Sequence, residues 1–148
     1  MQWLRARWAR LAKVVRAALA ERSTPGRVAL AIALGVVLGL SPLLGLQTLL
    51  AIALASALRL NRVLTVLGTN VTFGPLLPVA VGGEIALGAR ILGRPLPDLS
   101  RDHVLASARD AGLAWWLGFV VLGVPLALAF GGAAFLYAKR VTSRAASD

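Results

Sequence analysis

The chain has 148 residues, 58% of them hydrophobic and 15% charged, with a formal net charge of +10 and no cysteine. A soluble domain carries roughly a quarter of its residues charged, so this composition excludes an ordinary soluble core. The absence of cysteine excludes disulfides, thiol nucleophiles and thiolate metal sites. The charges also avoid the apolar stretches. None lies between Val28 and Leu58, and only Glu84 lies between Val63 and Ala89. An uncharged run longer than about 18 residues is the signature of membrane insertion. Nucleic acid is not expected as a partner despite the positive charge. The basic residues flank hydrophobic segments, and anionic lipid headgroups are their natural counter-charges.

Residues 1–22 read as a basic helix. Leu4, Trp8, Leu11, Val15, Ala18 and Leu19 fall on one face at 3.6 residues per turn, while Arg5, Arg7, Arg10, Lys13 and Arg16 take the rest of the circumference. An apolar stripe with Trp against a cationic face lies in the headgroup plane or packs on a partner helix. The basic stretch and the apolar run behind it are both too long for a cleavable signal, so the segment is expected to be retained. Ser23 or Thr24 followed by Pro25 supplies a cap and a first-turn proline for the next helix.

Residues 28–60 and 63–94 are each apolar and each broken in the middle. The first break is Ser41-Pro42-Leu43-Leu44-Gly45 and the second Gly74-Pro75-Leu76-Leu77-Pro78. Sliding the chain by 33 positions, from Pro42 to Pro75, pairs Leu34 with Leu67, Gly35 with Gly68, and Ile52-Ala53-Leu54 with Ile85-Ala86-Leu87. This is an internal repeat, and matched Pro/Gly-interrupted segments point to a binding or permeation site within a membrane. Half-helices of about 13 residues reach only about 20 Å, short of a hydrocarbon core of roughly 30 Å. They form either two re-entrant hairpins or two broken, tilted crossings. Arg22 and Arg27 precede the first unit, Arg59 and Arg62 follow it, and Arg90 and Arg94 close the second. That distribution favours two hairpins dipping in from the cytoplasm, with the N-terminus cytoplasmic.

Residues 95–112, with Pro95 and Pro97 at their start and six charged or titratable side chains, read as a polar surface connection. Residues 113–138 read as a transmembrane helix opened by Trp115-Trp116 and closed by Tyr137, Lys139 and Arg140. Gly123-Val124-Pro125 marks either a kink or a third hairpin within it. A basic tail, 139–148, ends the chain and is expected to be disordered from Val141.

The breaks free backbone groups, and small polar residues surround them: Ser41, Gln47 and Thr48 in the first unit, Asn61 between the units, and Thr69, Asn70 and Thr72 in the second. With Pro42, Gly45 and Pro75 they are the candidate binding residues, because a helix start beyond each break offers amide donors to a phosphate or carboxylate. The alternative is that they cap broken ends and join helices. Glu84 is the one carboxylate inside an apolar segment, and an intramembrane ionisable group is a functional candidate by default. It either carries a proton- or substrate-linked role or pairs with Arg90 near the interface. Gly82-Gly83 before it suggests close helix approach or a bend. His103 stands alone, so no metal site is expected. No nucleophile set, P-loop, GxGxxG motif or carboxylate pair occurs, so neither catalysis nor a cofactor is expected.

In chain order, Gly35, Gly39, Pro42, Gly45, Gln47, Thr48, Leu60, Asn61, Gly68, Thr69, Asn70, Thr72, Pro75, Pro78 and Gly88 resemble the bacterial membrane proteins grouped as domain of unknown function 2062. Those proteins carry an apolar helix with spaced glycines, Pro-x-x-Gly-x-His/Gln-Thr, a Leu/Ala helix ending in Leu-Asn, then Gly-Ser/Thr-Asn-x-Ser/Thr and a proline-rich break. The resemblance is firm over residues 23–93, loose over the last apolar segment, and departs at Phe73-Gly74, where members often have Asn-Pro or an apolar residue followed by Pro. It implies a bacterial inner-membrane protein whose relatives occur near or fused to envelope glycosyltransferases.

The sequence therefore predicts an all-α membrane protein: an N-terminal amphipathic interfacial helix, two Pro/Gly-broken helical hairpins and a C-terminal transmembrane helix. The expected function is transport-like handling of an anionic solute or lipid headgroup between the hairpins, in a homo-oligomer. A non-catalytic scaffold that recruits an envelope glycosyltransferase or lipid-synthesis enzyme is the alternative.

Overall fold

A computed structural model describes residues 24–43, 45–70, 76–96 and 112–145. The segment expected to form an interfacial helix, 1–22, most of the polar connection, and the candidate residues Thr72 and Pro75 lie outside the described residues. The described residues are helical, with no strand among them. We number the helices α1 (Pro25–Leu40), α2 (Gln47–Ala57), α3 (Arg62–Asn70), α4 (Leu76–Ile91) and α5, which runs over 112–145.

Helix α1 begins as the sequence predicts. Thr24 is the N-cap, in extended conformation, and Pro25 occupies the first turn, although the Thr24 side chain makes no capping hydrogen bond. The helix stops at Ser41, whose Oγ donates to Leu38 O at 2.7 Å, and Pro42 follows. Gly45, with φ of +87°, turns the chain into α2, a conformation that glycine adopts without steric cost. Helix α2 then runs back along α1. Gln47 lies against Gly39, Ala55 packs with Val28 and Ala31, and the Arg27 guanidinium at the start of α1 donates to Leu58 O and Arg59 O beyond the end of α2.

The ends of α2 and α4 share one device. Leu60 N–H donates to Ala55 O and Arg59 N–H to Ser56 O; Arg94 N–H donates to Ala89 O and Gly93 N–H to Arg90 O. These are Schellman caps, with Arg59 (φ +53°) and Gly93 (φ +63°) in the left-handed position.

Helices α1 and α3 run side by side in the same direction. Gly35 lies against the Thr65 carbonyl and Gly68, and Gly39 against Thr69. A Cβ at Gly35 would fall 2.7 Å from Gly68 Cα, and one at Gly68 would fall 2.9 Å from Gly35 Cα. Backbone contact this close is the small-residue packing used where lipid supplies no hydrophobic drive for helices to associate.

Helix α5 organises the rest. Ala138 packs with Val28 and Ala31, while Ala127 and Phe119 pack with Val36 and Leu40, so α5 is antiparallel to α1. Its first half is antiparallel to α4: Gly88 abuts Ala114, Gly118 abuts the Glu84 backbone, and Gly83 faces Leu122. Helix α4 thus continues in the direction of α1, starting where α1 ends, with Ala80 against the Val36–Leu40 cluster. Each of α1 and α4 has 16 residues, or about 24 Å at 1.5 Å per residue, so the two laid end to end match the roughly 48 Å of the 32-residue stretch Gly112–Ser143.

Three expectations are corrected here. The second unit does not return on itself as a hairpin, because the glycine contacts of α4 lie on α5 and not on α3. Arg90 and Arg94 consequently stand at the end of the molecule opposite Arg27, Arg59, Arg62, Lys139 and Arg140. Gly123-Val124-Pro125 makes no third hairpin. The helix is continuous and contains a π segment, Phe119–Gly123, in which Val124 N–H donates to Phe119 O. Pro125 has no N–H to give and its ring displaces the carbonyl four residues back, and the wider π turn before it absorbs both defects. Finally, the basic tail is helical through Ala145.

Gly112–Ser143 is long and apolar enough to cross a membrane, and only 22% of its most apolar window is buried inside the protein. Leu113, Val120, Val121, Leu128 and Leu136 are each half exposed or more. A soluble core helix of that composition would be covered by its own chain, so these side chains fit a lipid-facing surface.

Candidate functional site

The polar residues around the first break are consumed locally. Gln47 is buried and its Nε2 donates to Gly39 O at 3.3 Å and Ser41 O at 3.4 Å, carbonyls left free where α1 stops. Ser41 is buried and satisfied within its own turn. Gly45 and Thr48 are exposed, and Pro42 is half-buried. In the second unit Asn61 Oδ1 accepts from Leu64 N–H at 3.1 Å, the bond of an N-cap. Thr69 Oγ1 donates to Val66 O at 2.7 Å and accepts from Asn70 Nδ2, which also donates to Val66 O at 2.8 Å. The first break is thus self-capped.

Glu84 is different. It is 1% exposed, on the face of α4 that meets α5. Its Oε2 accepts a hydrogen bond from Trp115 Nε1 at 2.8 Å, and its Oε1 is buried with no hydrogen-bond partner. The expected pairing with Arg90 is not made; Arg90 is exposed. Local sequence explains the placement. Gly88 and Gly118 lack the side chains that would hold α4 and α5 apart, because a Cβ on either would enter the backbone of Ala114 or Glu84. Gly123 leaves room for the carboxylate beside the π segment: a Cβ there would fall 2.7 Å from Oε1 and 2.6 Å from the Phe119 ring. Trp116 and Phe119 meet edge to face at 5.9 Å on the same stretch. π segments mark functional positions often enough to be informative, and this one carries the buried carboxylate.

Of the sequence candidates, the structure therefore separates Glu84 from the break residues: no hydrogen bond joins it to Ser41, Gln47, Thr69 or Asn70. Trp115 is the residue the sequence reading missed, having been assigned to the bilayer boundary. Gly82 meets nothing within 4 Å and Gly83 only an ordinary contact with Leu122 Cδ2, so the close approach falls at Gly88 and Gly118 and not at the Gly82-Gly83 pair. The signal available was the shared spacing of four, Glu84–Gly88 facing Ala114–Gly118, with Gly88, Ala114 and Gly118 small.

Trp115→Phe removes the indole donor and leaves both carboxylate oxygens unpaired, which costs about 1–3 kcal/mol for a buried group. The expected result is a lower unfolding midpoint in mild detergent. In a double-mutant cycle with Glu84→Leu, the loss from Trp115→Phe should shrink, since no carboxylate is left to orphan. Equal losses in both backgrounds would show that packing, and not the hydrogen bond, sets the cost.

No curated protein and no solved structure matches this chain. A family profile matches residues 8–146, nearly its whole length, and on that match the chain belongs to the family described as "Uncharacterized protein conserved in bacteria (DUF2062)".

Proposed function

We propose that this protein is a multi-pass inner-membrane protein with transport-like handling of a polar solute or lipid headgroup, and that Glu84 is its working residue. The observation that carries the reading is a fully buried carboxylate with one unpaired oxygen between two apolar helices. Such a group is costly in a membrane and is kept where it does something. An anionic ligand at the first break finds little support, because Ser41 Oγ and Gln47 Nε2 already donate to main-chain carbonyls.

The helix directions support a path through the membrane. Helices α1 and α2 enter and return as a re-entrant hairpin; α3 and α4 together cross; α5 crosses back. The end bearing Arg27, Arg59, Arg62, Lys139 and Arg140 is cytoplasmic under the positive-inside rule, and Arg90 and Arg94 face outward. The reciprocal contact of Gly35 with Thr65 O and of Gly68 with Ile32 O supports an internal duplication, since Ile32 and Thr65 are 33 positions apart, as are Gly35 and Gly68. On this reading α1 and α3 are equivalent elements that have kept a shared interface while α2 and α4 diverged in direction.

Purified protein reconstituted into vesicles is expected to move labelled phospholipid or a small solute above background, and Glu84→Gln to lose that movement. Background rates in both, together with recovery of a glycosyltransferase or lipid synthase in pull-downs, would replace transport with a scaffold role.

A further inference from the structure

We infer that Glu84 is a proton-binding site: Trp115 holds Oε2, and Oε1 takes up a proton from water and returns it, switching the α4–α5 contact between a charged and a neutral state. This rests on the membrane placement proposed above. Three ligand chemistries could satisfy the unpaired Oε1. A metal ion needs several oxygen or nitrogen ligands, and around Glu84 the described residues offer the Trp115 N–H, which is only a donor, with glycine, Phe119 and Leu122. No group of three metal-binding side chains occurs among the described residues. An ammonium group brings three N–H donors, and beside Oε1 the described side chains offer it no second acceptor. A proton needs neither further ligands nor a second acceptor.

The surroundings isolate the exchange. On α5 Trp115 donates to Oε2, Gly118 abuts the Glu84 backbone and Gly123 stands beside Oε1 with Phe119, none of them titratable. From α1 the residues packed on Phe119 are Val36 and Leu40, both apolar. On α4 itself the first charged residue is Arg90, six positions on and exposed. A carboxylate with no counter-ion among the described residues is relieved by neutralisation in apolar surroundings, and the change alters a contact whose two backbones already touch at Gly118.

The chain has two glutamates, Glu21 and Glu84. In Glu21→Gln protein labelled with 13C-carboxyl glutamate, held in phosphatidylethanolamine/phosphatidylglycerol nanodiscs, the single carboxyl resonance reports Glu84. It is expected to follow a one-proton titration while the helical circular-dichroism signal stays constant, and Trp115→Phe is expected to move the midpoint. A resonance that stays fixed across the pH range in which the protein remains folded overturns the proposal. So does a titration identical to that of free glutamate and unmoved by Trp115→Phe. Because this readout needs no transport, a titrating Glu84 in a protein without flux sinks the transport reading alone, and flux with a silent Glu84 sinks the proton site alone.

Discussion

Gly35→Ala is expected to unfold much of the population or to lower the unfolding midpoint sharply, as Gly88→Ala and Gly118→Ala should at the α4–α5 contact. At Gly35 the added carbon would lie inside van der Waals contact of Thr65 O and 2.7 Å from Gly68 Cα. Both are backbone atoms, so no rotamer change relieves the overlap; the helices must separate. Overpacking against side chains typically costs about 1–3 kcal/mol, and a clash between two backbones should reach or exceed the top of that range. Separation would also loosen the cluster of Val28, Ala31, Leu60, Leu64 and Ala138 that α1 and α3 build with α5. The comparison that isolates the cause is Gly132→Ala and Gly82→Ala, helical glycines with open space around them. There the same methyl removes only the helix penalty of glycine, about 0.5–1 kcal/mol in favour of alanine. Gly68→Ala should resemble Gly35→Ala, and the double variant should cost less than their sum, because one displacement serves both. Thermal unfolding in mild detergent would decide; a Gly35→Ala protein as stable as Gly132→Ala would mean that the helices do not meet at these glycines.

This interface shows where the sequence was informative. Gly35 and Gly68 stood out as repeat partners, and Pro25, Pro42 and the apolar runs around them placed α1 and α2 closely, because helix ends are written in local residues. The long apolar stretch from Leu113 was equally legible. Direction was not. Hydropathy along α4 is the same whether the helix turns back on α3 or runs on beside α5. What decides is a match between surfaces, Gly88 with Ala114 and Gly118 with Glu84, made by residues about 26 to 34 positions apart across a polar connection. Glu84 could be singled out as a charge in an apolar run, but its partner could not. Trp115 has the aromatic character of a boundary residue, and only the antiparallel packing of α4 on α5 converts its N–H into the donor for Oε2. The side chains around the first break, like Thr69, have a second use that local sequence does not separate from binding. Ser41, Gln47 and Thr69 are the types that bind ligands and also the types that cap helices, and the free carbonyls beside them claimed their donors first.

The chain path makes the sharpest remaining prediction. Arg62 and Arg94 are both exposed, and the protein has no cysteine, so Arg62→Cys and Arg94→Cys each introduce one reactive thiol. Two cytoplasmic hairpins would shield both from an impermeant maleimide added outside cells. The observed helix directions give another answer. Helix α3 starts beside Val28 and Ala138, whereas α4 leaves that end behind, passes Leu40 at its own start and finishes against Ala114 at the far end of α5. The thiol of Arg94→Cys is therefore expected to label in intact spheroplasts, while those of Arg62→Cys and Lys139→Cys label only after permeabilisation. The charges agree. Among the described residues six basic residues belong to one end (Arg27, Arg59, Arg62, Lys139, Arg140 and Arg144) and two to the other (Arg90 and Arg94), and on the proposed orientation the larger group is cytoplasmic. Leu96→Cys, two residues past Arg94 and exposed, guards against a local effect of removing an arginine. Labelling at neither 94 nor 96 would restore the second hairpin and break the continuity of α1 and α4 along α5. Labelling at both, with 62 and 139 protected, would put Glu84 on a helix that crosses the bilayer, between two water-exposed ends from which a proton can arrive and leave.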